Sequence, residues 1–255
     1  MSFVTVENLF QSYGPRPILD RVNVTVEEGE FISIVGASGC GKSTFLRLLL
    51  AQERPSRGEI RIDGNPPAVE PGLERGVVFQ RYSVFPHMTV RDNIVAGEAF
   101  QHRWGRFFGA EKRAARERAD TVLARIGLAH VADQYPATLS GGMQQRLAIG
   151  QALTARPRIL LLDEPFGALD PGTRLSMHDF LTELRAETGM TVFMVTHDLS
   201  EGFKLGDRVL VFDKPRWDPD DPEAFGATIT YDFDARNGGI PFQTIKEKTH
   251  VPLPA

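Results

Sequence analysis

Residues Gly36-Ala37-Ser38-Gly39-Cys40-Gly41-Lys42-Ser43-Thr44 restrict what this chain can fold into more than any other segment. They fit the spacing of a phosphate-cradling loop, and the context fits as well. The apolar run Phe31–Val35 reads as a buried strand before the loop, and Lys42–Leu50 reads as a helix after it. The glycines let the backbone turn tightly, so that successive N–H groups face one point at a helix N-terminus, where anions are stabilised. Lys42 supplies positive charge for β- and γ-phosphates, and the Ser43 hydroxyl suits Mg²⁺. Cys40 serves through its backbone rather than its thiol. A dinucleotide-binding turn is excluded, because the glycine spacing is wrong for it and it has no use for Lys42-Ser43.

Two further segments place polar groups where phosphates bind. In Ile159-Leu160-Leu161-Leu162-Asp163-Glu164-Pro165, four apolar residues read as a strand buried on both faces. Its carboxylates arrive at the C-terminal end, where open α/β sheets bind ligands. Asp163 there can hold Mg²⁺ through water, and Glu164 can accept the proton of an attacking water. In Leu139-Ser140-Gly141-Gly142-Met143-Gln144-Gln145-Arg146, Ser140 caps a helix whose start offers a second seat for phosphate oxygens.

The rest of the chain reads as α/β. Strands are expected at Val22–Val26, Gly58–Ile62, Gly76–Phe79, Thr191–Val195, Arg208–Phe212 and Ala227–Phe233. Helices are expected at Val90–Ala96 behind Thr89, over Ala110–Ile126, from Ser140 to about Ala155, and over Arg174–Glu187. The helix-rich stretch 84–151 interrupts the strand–helix alternation and reads as an inserted subdomain. The chain has 255 residues, 42% hydrophobic and 24% charged, ordinary values for a globular protein. A net charge of -4 gives no sign of a general nucleic-acid binder. No apolar run approaches the roughly 18 residues of a membrane span, and Met1–Phe10 lacks the layout of a signal peptide. Any membrane role is therefore expected to run through a partner. The basic residues Arg103, Arg106, Lys112, Arg113, Arg116 and Arg118 alternate with Glu111, Glu117 and Asp120 and read as a solvated helix face.

Taken in order, these motifs resemble the ATPase subunits of ABC transporters. Gly36–Thr44 corresponds to the Walker A loop, Leu139–Gln144 to the signature and Ile159–Glu164 to Walker B. Gln80 matches the Q-loop glutamine, Leu169-Asp170 the D-loop, His197 the switch histidine and Tyr13 the aromatic that stacks on adenine. The resemblance covers about Phe3 to Phe233. It implies a P-loop NTPase core with a parallel sheet, an N-terminal antiparallel β subdomain and an inserted helical subdomain, making residues 1–233 one ATPase domain with 234–255 as a tail.

The resemblance also implies ATP and Mg²⁺ as cofactors. Ser43, Gln80 and Asp163 would serve the metal, and Glu164, His197, Gln80 and Lys42 the hydrolysis. It implies a head-to-tail dimer, of two copies or of this chain with a paralogous ATPase. Each ATP would lie between one subunit's Gly36–Thr44 and the other's Ser140–Gly142, with Gln144 and Asp170 beside it. Further partners implied are transmembrane permease subunits and a solute-binding protein, at the cytoplasmic face of the inner membrane, with no nucleic acid.

Tyr82-Ser83-Val84-Phe85-Pro86-His87-Met88-Thr89 is an apolar, aromatic run expected at the surface, and in the family the membrane subunit docks there. The stretch from Phe79-Gln80 to Gly97 is most similar to importers of the nitrate, sulfonate, taurine and bicarbonate group. Residues Asp213–Gly226, with Pro215, Trp217, Pro219 and Pro222, depart from that group as an enlarged hairpin tip. With that departure, another small nitrogen compound such as urea or guanidine stands open as the solute. A soluble ABC-type ATPase acting on DNA or ribosomes would be expected to carry a coiled-coil insertion or a second fused ATPase domain, and neither is present. A binding-only switch would have no need of Glu164 and His197.

Overall fold

Two long strands open the chain, β1 (Ser2–Tyr13) and β2 (Arg16–Glu27), joined by a turn with Gly14 at φ 60°. In β2, Val22, Val24 and Val26 are buried and alternate with exposed residues, giving the period-2 pattern of a half-covered strand. β1 is less regular. Its pairing with β2 shifts register between Val6 and Leu9 and again between Leu9 and Gln11, and Asn8 lies at φ 46°. Such bulges break the alternation that marks a strand in sequence. The computed structural model describes residues 2–67, 74–79, 84–99, 109–216, 218, 220–221 and 224–236. Within it the chain forms two units, Met1–Gly72 with Gly189–Ala255, and Leu73–Thr188.

In the first unit, β1 is flanked by β2 and by β4 (Arg57–Ile62) in an antiparallel sheet of order β2-β1-β4. The other layer is built on β3 (Phe31–Gly36), buried at every position. β3 pairs in parallel with β7 (Thr191–Val195) and with β8 (Arg208–Asp213), and β9 (Thr228–Asp234) runs antiparallel to β8. Helix α1 (Lys42–Leu49) packs on β3 and β7, its Phe45 ring 5.3 Å from that of Phe212. Val35, Leu199, Val209 and Val211 form a buried cluster under α6 (Leu199–Leu205), a seven-residue helix too short to leave a helical period in the sequence. Arg208 is held by Asp232 on β9 at 2.5 Å, by Glu30 at 3.1 Å and by the Thr25 carbonyl at 2.7 Å.

The expected hairpin tip between β8 and β9 folds back onto β2. Ala227 exchanges backbone hydrogen bonds with Ile18 and Asp20, while Arg216 pairs with Asp20 at 2.6 Å and lies 5.0 Å from the Phe225 ring centre. Trp217, Pro219 and Pro222 of that tip lie outside the described residues, as do Arg103, Arg106, Tyr82, Ser83 and positions 237–255.

In the second unit, β5 (Arg75–Val78) pairs in parallel with β6 (Ile159–Asp163). Between these strands in the chain come α2 (Val90–Ala99), α3 (Gly109–Arg125) and α4 (Gly141–Leu153), and α5 (Pro171–Thr188) follows β6. The basic residues of α3 that are described behave as a solvated face. Arg118 pairs with Glu98, and Arg116 lies 3.5 Å from Asp92, both partners being on α2.

Candidate nucleotide-binding and hydrolysis site

The glycine loop takes the shape its composition allows. Gly36, Gly39 and Gly41 have φ of 154°, 82° and 74°. At Gly36 the reason is also steric, since a Cβ there would stand 2.2 Å from the Phe212 carbonyl oxygen. The loop closes with the Phe45 N–H on the Gly41 carbonyl at 2.8 Å, which starts α1. No acidic side chain occupies the first turn of α1, so nothing there competes with an anion for the helix N-terminus. Lys42 is 6% exposed, and its ammonium donates to the Gly36 carbonyl at 2.8 Å and the Ala37 carbonyl at 2.9 Å. Ser38 and Gly39 are exposed, Ala37, Gly41 and Ser43 half-buried, and Thr44 buried. Cys40 is buried, and burial, with Asp213 adding to it, pushes its thiol pKa up, away from the reactive thiolate.

Of the other two sequence-predicted residues of this unit, one sits at a strand end and the other on a turn. Tyr13 ends β1 with 44% of its surface exposed, and its hydroxyl donates to Glu53. His197 is exposed on the turn between β7 and α6. Its neighbours pin that turn. The Thr196 hydroxyl donates to buried Glu201 at 2.5 Å and accepts the Asp198 N–H at 3.1 Å. Asp198 caps α6 by accepting from the Ser200 and Glu201 N–H groups. Asp198 and Glu201 escaped the sequence reading, although an Asp three residues before a Glu is a helix-start signal.

In the second unit, β6 delivers Asp163 and Glu164, both half-buried. Glu164 has φ 47°, a left-handed conformation that costs a non-glycine residue about 1–2 kcal/mol. Backbone strain of this kind collects at functional positions. Asp170 accepts the Thr173 N–H at 3.0 Å at the start of α5, and the Thr173 hydroxyl, with that N–H, holds its carboxyl below the usual range. Ser140 caps α4, its hydroxyl accepting the Met143 N–H at 3.3 Å, and Ser140 and Gly141 are exposed. Gly142 is buried against α5, where a Cβ would stand 2.3 Å from Thr173 Cγ2. Gln144 donates to the carbonyls of Pro136 at 3.0 Å and Leu139 at 3.3 Å, bracing the turn that presents Ser140. Gln80 lies outside the described residues.

The surface run ahead of α2 is held from within. Buried Asn93 donates to the carbonyls of Phe85, Met88 and Thr89 and accepts the Phe85 N–H at 2.7 Å, while Gln151 of α4 donates back to Asn93. On this run, expected at the surface, Pro86 and His87 are exposed and Phe85 is half-buried. Phe85 also lines a cavity of about 220 Å³ with Val77, Val78, Gly97 and Gln151.

A family model described as "ABC transporter" matches residues 19–167, which contain the glycine loop, the Ser140 helix start and the Asp163-Glu164 strand end. The chain belongs to the ABC transporter family. Over 214 residues, 84% of this chain and 74% of the other, it is 39% identical to an aliphatic sulfonates import ATP-binding protein of Rhizobium johnstonii. Over 193 residues, 76% of this chain and 70% of the other, it is 42% identical to a nitrate import ATP-binding protein of Synechocystis. A solved dimeric ATP-binding cassette in a post-hydrolysis state, bound to ADP and Pi, superposes with a TM-score of 0.73 at 32% identity, covering 93% of this chain and all of that one. This ABC protein is accordingly an ATP-binding, ATP-hydrolysing subunit of a membrane transport system. Among the described residues no helix is long and apolar enough to cross a membrane.

Proposed function

We propose that this ATPase drives import of a small solute, working from the cytoplasmic face of the inner membrane with permease subunits and a solute-binding protein. The observation that carries the reading is its likeness, over most of both chains, to ATP-binding proteins of sulfonate and nitrate import. The Phe85 loop, clamped through Asn93 to the Ser140 helix, is the surface on which a permease segment would press.

The working unit is a head-to-tail dimer, with a second copy or a paralogous ATPase. Each ATP has its phosphates on one subunit's Gly36–Thr44 and its lid from the other's Ser140–Gly142, beside Gln144 and Asp170, with adenine on Tyr13. Ser43 and Asp163 offer hydroxyl and carboxylate oxygens, hard donors that fit Mg²⁺. Mg²⁺ held there would neutralise charge on the β- and γ-phosphate oxygens. Lys42 adds its charge to the same oxygens, Glu164 takes the proton of the attacking water, and exposed His197 orients that water. ATP binding closes the dimer and moves the permease; hydrolysis and release reopen it.

The test is reconstitution of the chain with its membrane and binding proteins in vesicles carrying ATP inside. ATP-dependent uptake of one member of a panel of sulfonates, nitrate, bicarbonate, urea and guanidine is the expected result. ATP-dependent efflux instead of uptake would overturn the import reading.

A further inference from the structure

The Tyr13 ring stands at the end of a strand with 44% of its surface exposed, a position in which an aromatic side chain is free to turn. It is not free here. Its hydroxyl donates to Oε2 of Glu53, which lies just past the end of α1. The other carboxylate oxygen of Glu53 faces Arg47 Nη1 at 3.2 Å. Arg47 in turn reaches the Thr44 hydroxyl at 3.4 Å through Nη2 and the Ser43 carbonyl at 3.4 Å through Nε. One connected set of side chains thus joins the aromatic to the first turns of α1. The phenol keeps its proton for this bond, because burial and the Glu53 carboxylate raise its pKa above the ordinary tyrosine value.

The chain brings Glu53 to this place by the way α1 ends. The Gln52 N–H bonds the Arg47 carbonyl and the Ala51 N–H the Leu48 carbonyl, both at 3.0 Å, with Ala51 in the left-handed region at φ 59°. That pattern is a Schellman stop, which folds the following residues back over the last turn.

We propose that Glu53 is a positioning residue that fixes the Tyr13 ring, before nucleotide arrives, at the angle on which adenine stacks. The inference rests on the reading of Tyr13 as the adenine platform and adds what holds the platform. A ring already immobilised does not have to be ordered when the ligand binds. Ordering one such side chain corresponds to a loss of about 2- to 10-fold in affinity.

Titration calorimetry on the full chain, with ADP and with tripolyphosphate as probes, tests this. Glu53→Ala should weaken ADP binding about 2- to 10-fold and leave tripolyphosphate, which has no base, unchanged. KM for ATP should rise accordingly while turnover at saturating ATP stays within about 2-fold. Tyr13→Phe, which keeps the ring and loses the hydroxyl, should match Glu53→Ala, and the double variant should be no weaker than either. Glu53→Gln retains an acceptor oxygen and should recover most of the affinity. If Tyr13→Ala weakens ADP binding but Glu53→Ala does not, or if their effects simply add, the positioning role is overturned and the platform stands. If Tyr13→Ala itself leaves ADP binding unchanged, the platform reading falls and the positioning role with it. Equal loss of ADP and tripolyphosphate in Glu53→Ala would mark Glu53 as a support of α1 and overturn the proposal as well.

Discussion

Placing a methyl group on Gly142 should damage this protein through one identifiable contact. The new Cβ would stand 2.3 Å from Thr173 Cγ2, far inside van der Waals contact, and the next atom, Thr173 Cβ, is 3.8 Å away. Forcing an extra carbon into a packed position costs about 1–3 kcal/mol. For a chain of this size that lowers the melting midpoint by roughly 2–10 °C. The strain falls between the first turns of α4 and α5, so it also displaces Ser140 and Gly141, the phosphate-facing end of α4. A displacement near 1 Å in a binding group can cost about 100-fold in turnover. Removing Cγ2 should relieve it. Thr173→Ser keeps the hydroxyl that helps hold the Asp170 pKa down, and in that background Gly142→Ala should melt at or above the wild-type temperature, because alanine is the better helix residue by about 1 kcal/mol. Differential scanning calorimetry of the four proteins reads the cycle, and phosphate release reads activity. If the double variant melts no higher than Gly142→Ala alone, the steric account is wrong. If stability returns while turnover does not, the bare Gly142 backbone is itself needed by the nucleotide.

Three other perturbations follow from particular residues. Ala51→Gly should raise the melting midpoint, since the left-handed φ of 59° costs alanine about 1–2 kcal/mol and glycine's extra unfolded-state freedom offsets only about 0.4–1 of it; an unchanged or lower midpoint in calorimetry would show that the stop is unstrained. Glu164→Gln should cut steady-state phosphate release about 10²- to 10⁴-fold while ATP still binds, and turnover within a few-fold of wild type would remove Glu164 as the base. Phe85→Asp should leave ATP hydrolysis by the isolated subunit near normal and weaken capture of the membrane subunits; unchanged capture would discard the docking surface.

Much of this molecule could be read directly from the order of residues. β6 ends at Asp163, where the buried apolar run Ile159–Leu162 stops, and β7 matched its expected bounds at Thr191–Val195. Ser140 and Thr89 act as the caps their chemistry suggests. What escaped had a local physical cause. β1 hides behind bulges at Val6–Leu9 and a left-handed Asn8. α6 is only seven residues long. Glu53, Asn93 and Glu201 escaped because their roles lie in contacts made by the folded chain, with Tyr13, the Phe85 loop and Thr196. The strained backbone of Glu164 leaves no trace in composition at all.

The most direct test of the account is whether one active site takes its parts from two chains. Lys42→Ala removes the charge of the phosphate loop, and Ser140→Arg blocks the lid with bulk; each variant alone should be inactive. A dimer purified with one chain of each kind should recover part of the ATPase activity, because it joins the intact loop of the Ser140→Arg chain to the intact lid of the Lys42→Ala chain. A tethered dimer of one wild-type chain and one chain carrying both lesions should be inactive, since each of its two sites has one damaged part. Robust phosphate release from that tethered dimer would mean that a single chain builds a complete site, and would contradict the account.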